Sequence, residues 1–185
     1  MEIINGTDQY GNKLWINEKG FLHRERDLPA KIQRDGTKEW FINGIPHRDN
    51  GLPAKKYPGR SEWWVNGQLH RDGGLPAIEY IGGDKLWYVN GKLHRDGGLP
   101  AIELNNGTKE WWVNGKKHRE GDLPAVEKSD GTKEWYVNDK LHRDDGLPAV
   151  ERADGTKKWY INGEEVTEAR AIELARYEKL KELFG

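Results

Sequence analysis

Residues 132–151 read TKEWYVNDKLHRDDGLPAVE, and variants of this phrase fill nearly the whole chain. Its histidine recurs at His23, His47, His70, His94, His118 and His142, in steps of 24, 23, 24, 24 and 24 residues. A fixed period of this length signals a repeat architecture, in which one supersecondary unit follows the next. Asn-Gly between β-forming residues is a strong hairpin signal, because both central residues of a type I′ turn need positive φ. It stands at Asn43-Gly44, Asn66-Gly67, Asn90-Gly91 and Asn114-Gly115, with Asn138-Asp139 in the quoted copy.

A two-residue turn sets the register. Val137 should face Lys140, Tyr136 should face Leu141, and Trp135 should face His142. One face of the hairpin then carries Trp, Val and His, and the other carries Tyr, Leu and Glu. In the first copy the turn is Asn17-Glu18-Lys19-Gly20, two residues longer, which predicts Trp15 opposite Leu22 and Leu14 opposite His23. Asp-Gly or Asn-Gly closes most copies, at Asp35-Gly36, Asn106-Gly107, Asp130-Gly131 and Asp154-Gly155. Between the two turns lies Leu-Pro-Ala. Proline lacks an N–H, so the second strand should kink there and resume at Ala-Val-Glu. This gives two strands per copy; three strands, reversing direction from copy to copy, is the alternative.

The expected fold is all-β: an elongated, twisted antiparallel sheet of about seven hairpins with a capping α-helix at the C-terminal end. Residues 1–13 form an N-terminal edge, including Ile3-Ile4, that covers the first open strand. Residues 14–166 hold the repeats, of about 24 residues each, with copies starting at Leu14, Trp40, Trp63, Trp87, Trp111, Trp135 and Trp159. Tyr57-Pro58-Gly59-Arg60-Ser61 replaces the closing turn before the third copy. Residues 167–185 form the cap. There Thr167 suits an N-cap, and Ala169, Ile172, Tyr177, Leu180, Leu183 and Phe184 share one helical stripe. An open sheet end needs cover. The rival role for this helix is docking to a partner or to a second copy of the chain, a homo-oligomer.

Net charge is −1, from 30 basic and 31 acidic side chains, which gives no electrostatic case for nucleic acid or an acidic membrane. The chain has no cysteine, so it offers no disulfide framework and no thiolate chemistry. No apolar run approaches the ~20 residues of a membrane span. The opening MEIINGTDQY lacks the basic and apolar regions of a signal peptide, so the expected location is cytosolic. Only 35% of residues are hydrophobic, yet nine are Trp, which suits a thin structure with one buried stripe of rings.

The histidines do not read as a metal site. Equivalent positions two strands apart lie ~10 Å from each other, at ~4.8 Å per strand. Two histidines sharing zinc must each bring a nitrogen to ~2.1 Å from it. Each is instead expected to stack on its cross-strand Trp and to bond the Leu-Pro segment. His-Arg-Asp resembles a kinase catalytic loop, but alanine (Ala54, Ala77, Ala101, Ala149) stands where that motif needs Asn. The Arg and the acid are expected to form a charge ladder. The first aromatic row (Trp40, Trp63, Trp87, Trp111, Trp135, Trp159) and the histidines His47, His70, His94, His118 and His142 read as a structural ladder. The second row varies: Phe41, Trp64, Tyr88, Trp112, Tyr136 and Tyr160. It is the candidate binding surface, because positions that drift between copies are free for recognition.

The run WYxNGxxHRxxGLPA resembles a tandem repeat of tailed-phage and giant-virus proteins. More distantly it is similar to MORN repeats, which are hairpins of about this length with an aromatic strand and a glycine-containing turn. The resemblance covers about residues 13–163. It departs from the MORN pattern in its Leu-Pro-Ala, and in the Arg that follows His where MORN repeats favour glycine. A weaker likeness is to choline- and cell-wall-binding repeats, which belong to secreted proteins. The resemblance implies a MORN-like fold and a binding role, since MORN proteins are mostly scaffolds and interaction modules.

The expected function is therefore a non-enzymatic interaction protein of viral origin. It would act in the host cytosol and bind a host or viral protein along its elongated face. The alternative is a small-ligand binder, for a nucleotide or a sugar, using the aromatic and Arg rows. No nucleophile, metal cluster or isolated acid–base pair stands apart from the repeat, so neither enzyme activity nor a cofactor is expected.

Overall fold

The computed structural model describes residues 4–184. The fold is an array of antiparallel β-hairpins followed by one α-helix. The chain divides into two compact units, Met1–Lys92 and Leu93–Gly185.

The second unit shows the repeat most plainly. Tyr136–Val137 pairs with Lys140–Leu141, Tyr136 opposite Leu141 and Val137 opposite Lys140. The tip turn between them has φ of 51° at Asn138 and 69° at Asp139. Further down the same hairpin, Lys133–Glu134 pairs with Val150–Glu151. Trp135 joins the two pairings: its N–H donates to the Ala149 carbonyl (2.8 Å), and its carbonyl accepts the His142 N–H (3.1 Å). Both His142 and Ala149 thus lie against Trp135, and residues 143–148 are pushed out of the ladder as a loop.

This refines the expected route of two strands per copy. In the copies between the first and the last each strand is broken at the Trp level, so such a copy carries four short strands, two in a stem and two in a tip. The loop has to leave the ladder because Pro148 has no N–H to contribute. Asp145 and Gly146 supply its turn, at φ of 59° and 71°.

Stems join through the closing turns. After Val150–Glu151, Gly155 N–H donates to Arg152, Thr156 N–H donates to the Asp154 carboxylate (2.8 Å), and Lys157–Ile161 pairs back. In the second unit the stem sheet runs in sequence order from Ile102–Glu103 to Glu164–Val166. In the first it runs from Ile4–Thr7 to Lys85–Leu86, again in sequence order. Ile4–Thr7 pairs with Lys13–Ile16; Ile3, expected in the same edge, lies outside the described residues. Among the described residues, tips do not pair as strands with one another. A turn N–H stitches each to the preceding copy, as Gly44 to Leu22 (2.8 Å) and Gly67 to Pro46 (3.0 Å) in the first unit, and Gly163 to Leu141 (2.9 Å) in the second.

The first copy corrects the predicted register. Ile16, not Trp15, bridges Leu22. Trp15 donates to Ala30 and accepts from His23, as Trp40, Trp63, Trp111 and Trp135 do with the alanine and histidine of their own copies. Leu14 is a stem residue opposite Gly6 and Lys31. Trp15 and His23 are eight positions apart against seven for Trp135 and His142, so the insertion is one residue rather than two. Asn17 absorbs it, its Oδ1 accepting the N–H groups of Lys19 and Phe21. The first aromatic row is therefore Trp in all seven copies, starting at Trp15.

The buried layer is thin. In the first unit it holds Trp40, Trp63, Trp87, Ala30, Ala54, Ala77, Ile78 and Thr37. In the second it holds Trp111, Trp135, Ala101, Ala125, Ala149, Val126 and Val150. The Leu-Pro-Ala alanines are fully buried, so no larger side chain fits where the loop returns beside the Trp strand.

The helix Glu168–Phe184 (α1) starts where expected, with the Thr167 hydroxyl accepting the Arg170 N–H. Its buried residue is Ala171, and Ile172 lies against Gly146 of the sixth loop. A Cβ built on Gly146 would come within 3.0 Å of the Ile172 Cα, and φ there is +71°, so glycine alone suits the position. The later part of the predicted apolar stripe does not carry this docking: Tyr177, Leu180, Leu183 and Phe184 are all more than half exposed. Ile172, of the stripe, meets the loop near the start of the helix, while the stripe's later residues face away. Among the described residues no helix is long and apolar enough to cross a membrane.

Candidate interaction face

The extruded loops carry the His-Arg-acid triplet, and arginine organises them. The Arg143 guanidinium lies 3.8 Å over the Trp135 ring. Its Nη1 donates to the Pro148 carbonyl and to Glu151. Its Nε and Nη2 grip both oxygens of Asp122, in the preceding loop, at 2.8 and 3.0 Å. Burial pushes the Arg143 pKa down, but the Asp122 and Glu151 carboxylates outweigh it, and the net shift is upward. Arg48 repeats the pattern over Trp40, with the Pro53 carbonyl and a fork to Asp27. That fork holds Asp27 below the usual carboxylate range. Arg71 and Arg119 lie over Trp63 and Trp111 at 3.8 and 3.7 Å.

This corrects the role assigned to histidine: arginine stacks on the ladder Trp and bonds the Leu-Pro segment. A planar guanidinium has donors on several sides and can serve ring, carbonyl and carboxylate together. Histidine instead links copies. His142 Nδ1 accepts the Asn162 N–H of the next tip (3.2 Å), and Nε2 bonds Asp144 (2.9 Å). His47 and His70 do the same with Asn66 and Asp49, and with Asn90 and Asp72. His94 does so with Asn114 and Asp96. An Nδ1 that accepts leaves the proton on Nε2. His118 keeps the Nε2 bond, to Glu120, but its buried Nδ1 has no partner; the next tip is the one with Asp139 in place of glycine. His23 keeps only the Nδ1 bond, from Asn43.

The ladder Trp side chains close the contact between copies. Trp40 and Trp63 Nε1 donate to Asp27 and Gly51 carbonyls in the first unit, and Trp135 and Trp159 Nε1 to Asp122 and Gly146 in the second.

The variable row, the predicted binding surface, is half-buried throughout: Phe41, Trp64, Tyr88, Trp112, Tyr136 and Tyr160. Its polar atoms are largely spoken for. Trp64 and Trp112 Nε1 donate to Glu62 and Glu110, and Tyr136 and Tyr160 hydroxyls donate to Glu134 and Glu165. Lys55 lies 4.7 Å from the Trp64 ring centre, and Lys117 lies 5.3 Å from that of Trp112. Burial, then the Glu134 charge, pushes the Tyr136 phenol up to about 12.

What the loops expose was not foreseen. Leu28, Leu52 and Leu75 in the first unit, and Leu99, Leu123 and Leu147 in the second, are 39–49% exposed. The sequence pattern made this leucine part of a kink. Beside it stands the histidine-bound acid: Asp49, Asp72, Asp96, Glu120 or Asp144, each 74–93% exposed. Between consecutive loops lies a recurrent cleft. It measures about 350 Å³ between the first and second loops, 180 Å³ between the second and third, and 220 Å³ between the fifth and sixth. The Trp strand of the later copy lines each one, so Phe41, Trp64 and Tyr136 reach this side as cleft residues. Within each unit the arrangement offers a row of apolar knobs and carboxylates, with aromatic-lined notches at these three places. No protein-family model and no curated protein matches this chain.

Proposed function

We propose that the protein is a non-enzymatic interaction module that binds a protein partner along its loop rows. The observation that carries this reading is the recurrence, at one step per copy within each unit, of an exposed leucine beside an exposed carboxylate. Exposed apolar side chains scattered singly need no explanation, whereas a regular row of them marks a contact surface. The carboxylates give the partner its chemistry: a surface presenting Lys or Arg beside apolar side chains. The variable aromatics serve as cleft walls, and their drift from copy to copy would let each step select a different side chain. The resemblance to MORN-like repeats points the same way.

The test uses the full chain as bait in an extract of its native host, beside a Leu99→Ser/Leu123→Ser/Leu147→Ser variant whose far-UV spectrum matches the parent. The expected partner is basic, is released by raised salt, and is lost from the variant. A partner held equally by both chains would remove the loop row from the interface. Retention of no protein at all would sink the reading.

A further inference from the structure

One face of the stem sheet carries a single row of residues in direct cross-strand register. In the second unit this row is Glu103, Lys109, Glu127, Lys133, Glu151 and Lys157, and the charges alternate without a break. Opposite charges face each other across every gap, the arrangement that favours pairing. The first unit departs from it. After Lys13 and Ile32 come Lys38, Lys56 and Ser61, and only then Glu79 and Lys85. Lysine replaces glutamate at position 56, and serine replaces lysine at 61. Lys38 and Lys56 therefore stand directly opposite each other on neighbouring strands, both exposed.

Like charges so placed repel, and among the described residues neither ammonium has an ion-pair partner. The nearby carboxylates are engaged elsewhere. Asp35 accepts the Thr37 N–H, Arg71 holds Glu79, and Arg60 and the Trp64 indole hold Glu62. The same place is where the repeat loses its usual closing turn. In the replacement, Arg60 lies 4.1 Å from the Tyr57 ring centre and 5.9 Å from that of Tyr80. Ile81 N–H donates to the Gly59 carbonyl (3.0 Å), which pins the rim. Lysines, serine and aromatic rim line a depression of about 550 Å³, with Ile81 80% exposed at its edge and the bonded carboxylates of Asp35 and Glu79 also on its wall.

We propose that this depression binds a phosphorylated small molecule. The phosphate sits between Lys38 and Lys56 with the Ser61 hydroxyl as a further donor, and a planar or apolar body lies on Tyr80 and Ile81. Two adjacent ammoniums, neither in an ion pair, suit a group that carries more than one negative charge. A flat body would exchange water for contact with an exposed ring and an exposed isoleucine. Both departures from the repeat, the charge row and the turn, fall on the same spot and serve one site.

Isothermal titration of the full chain at low ionic strength tests this with pyrophosphate, a nucleoside diphosphate and the corresponding nucleoside. The diphosphate should bind several-fold more tightly than pyrophosphate, and the nucleoside should not bind measurably. Lys56→Glu restores the residue found at this position in later copies, so it should fold, melt higher than the parent, and lose at least ten-fold in affinity for both anions. Tyr80→Ala should bring the diphosphate down to the pyrophosphate level and leave pyrophosphate unchanged. The site is overturned if neither anion binds, if Lys56→Glu binds as the parent does, or if the nucleoside binds as well as its diphosphate. Equal affinity of the parent for pyrophosphate and the diphosphate would overturn the role given to the rim.

Discussion

The guanidinium of Arg143 lies 3.8 Å above the Trp135 ring and, from that position, forks onto both carboxylate oxygens of Asp122. One side chain, 13% exposed, thus ties a ladder strand to its own loop and to the loop before it. Lysine keeps the charge but has neither the fork nor the plane. Arg143→Lys should destabilise the protein by about 1–2 kcal/mol, mostly from the lost stack on Trp135 and bond to Pro148, because the fork onto Asp122, 54% exposed, is screened by water. Urea unfolding measures it. An unchanged midpoint would mean that the stack contributes nothing to stability.

Acid should weaken the closing turns. Asp35, Asp130 and Asp154 each accept from a threonine two residues on, and these bonds pull each pKa below 3.8: the threonine N–H first and its hydroxyl second for Asp35 and Asp130, the hydroxyl first and the N–H second for Asp154. A depressed folded pKa contributes stability that is present above the unfolded value and is lost as pH falls through the folded one. Asn106 occupies the same place and accepts the Thr108 N–H without a charge. Asp130→Asn should therefore keep the turn, melt like the parent at neutral pH, and lose less stability than the parent below about pH 4. Parallel melting curves down to pH 2 decide it; identical acid slopes would show that this carboxylate is not linked to folding.

Tyr136 should ionise late. Its phenol is pushed from 10.0 to about 12, first by burial and then by the Glu134 charge beside it. Because the folded value is the higher one, the stability linked to this group is complete below pH 10 and is lost as pH rises toward 12. Ultraviolet titration of Tyr136→Phe should lack one late-ionising tyrosine. Glu134→Gln should bring the late step down only partway, because burial remains. A parent chain whose tyrosines all titrate near 10 would contradict the burial of this row.

Docking of α1 should depend on the close fit near its start rather than on the exposed residues of its later turns. Gly146→Ala places a Cβ against the Ile172 backbone at a φ that alanine adopts poorly, and should cost at least about 1 kcal/mol. Ala171→Asp buries a charge at a position 1% exposed and should release the helix to protease. Leu183→Ser, on the exposed stripe, should leave stability within about 0.5 kcal/mol of the parent. If Leu183→Ser proves the most damaging of the three, the docking face has been misassigned.

Much of the architecture follows from local rules that can be read along the chain. Asn43-Gly44 and Asn66-Gly67 demand tight turns because few residues accept positive φ, and Tyr136 opposite Leu141 follows from the length of such a turn. Thr167 before a helical stretch is equally local. The register of the first copy was not legible, because Asn17 absorbs an inserted residue with side-chain bonds that leave no trace in the hydrophobic pattern. Nor was the exchange of roles between His142 and Arg143. Which of the two covers Trp135 depends on how far residues 143–148 leave the ladder, and on Asp122 arriving from the preceding loop. The exposure of Leu123 and the opposition of Lys38 to Lys56 are of the same kind. Sequence sets each residue's face within its own hairpin, but its neighbours from the next copy, and the water left to it, are settled only when the copies pack.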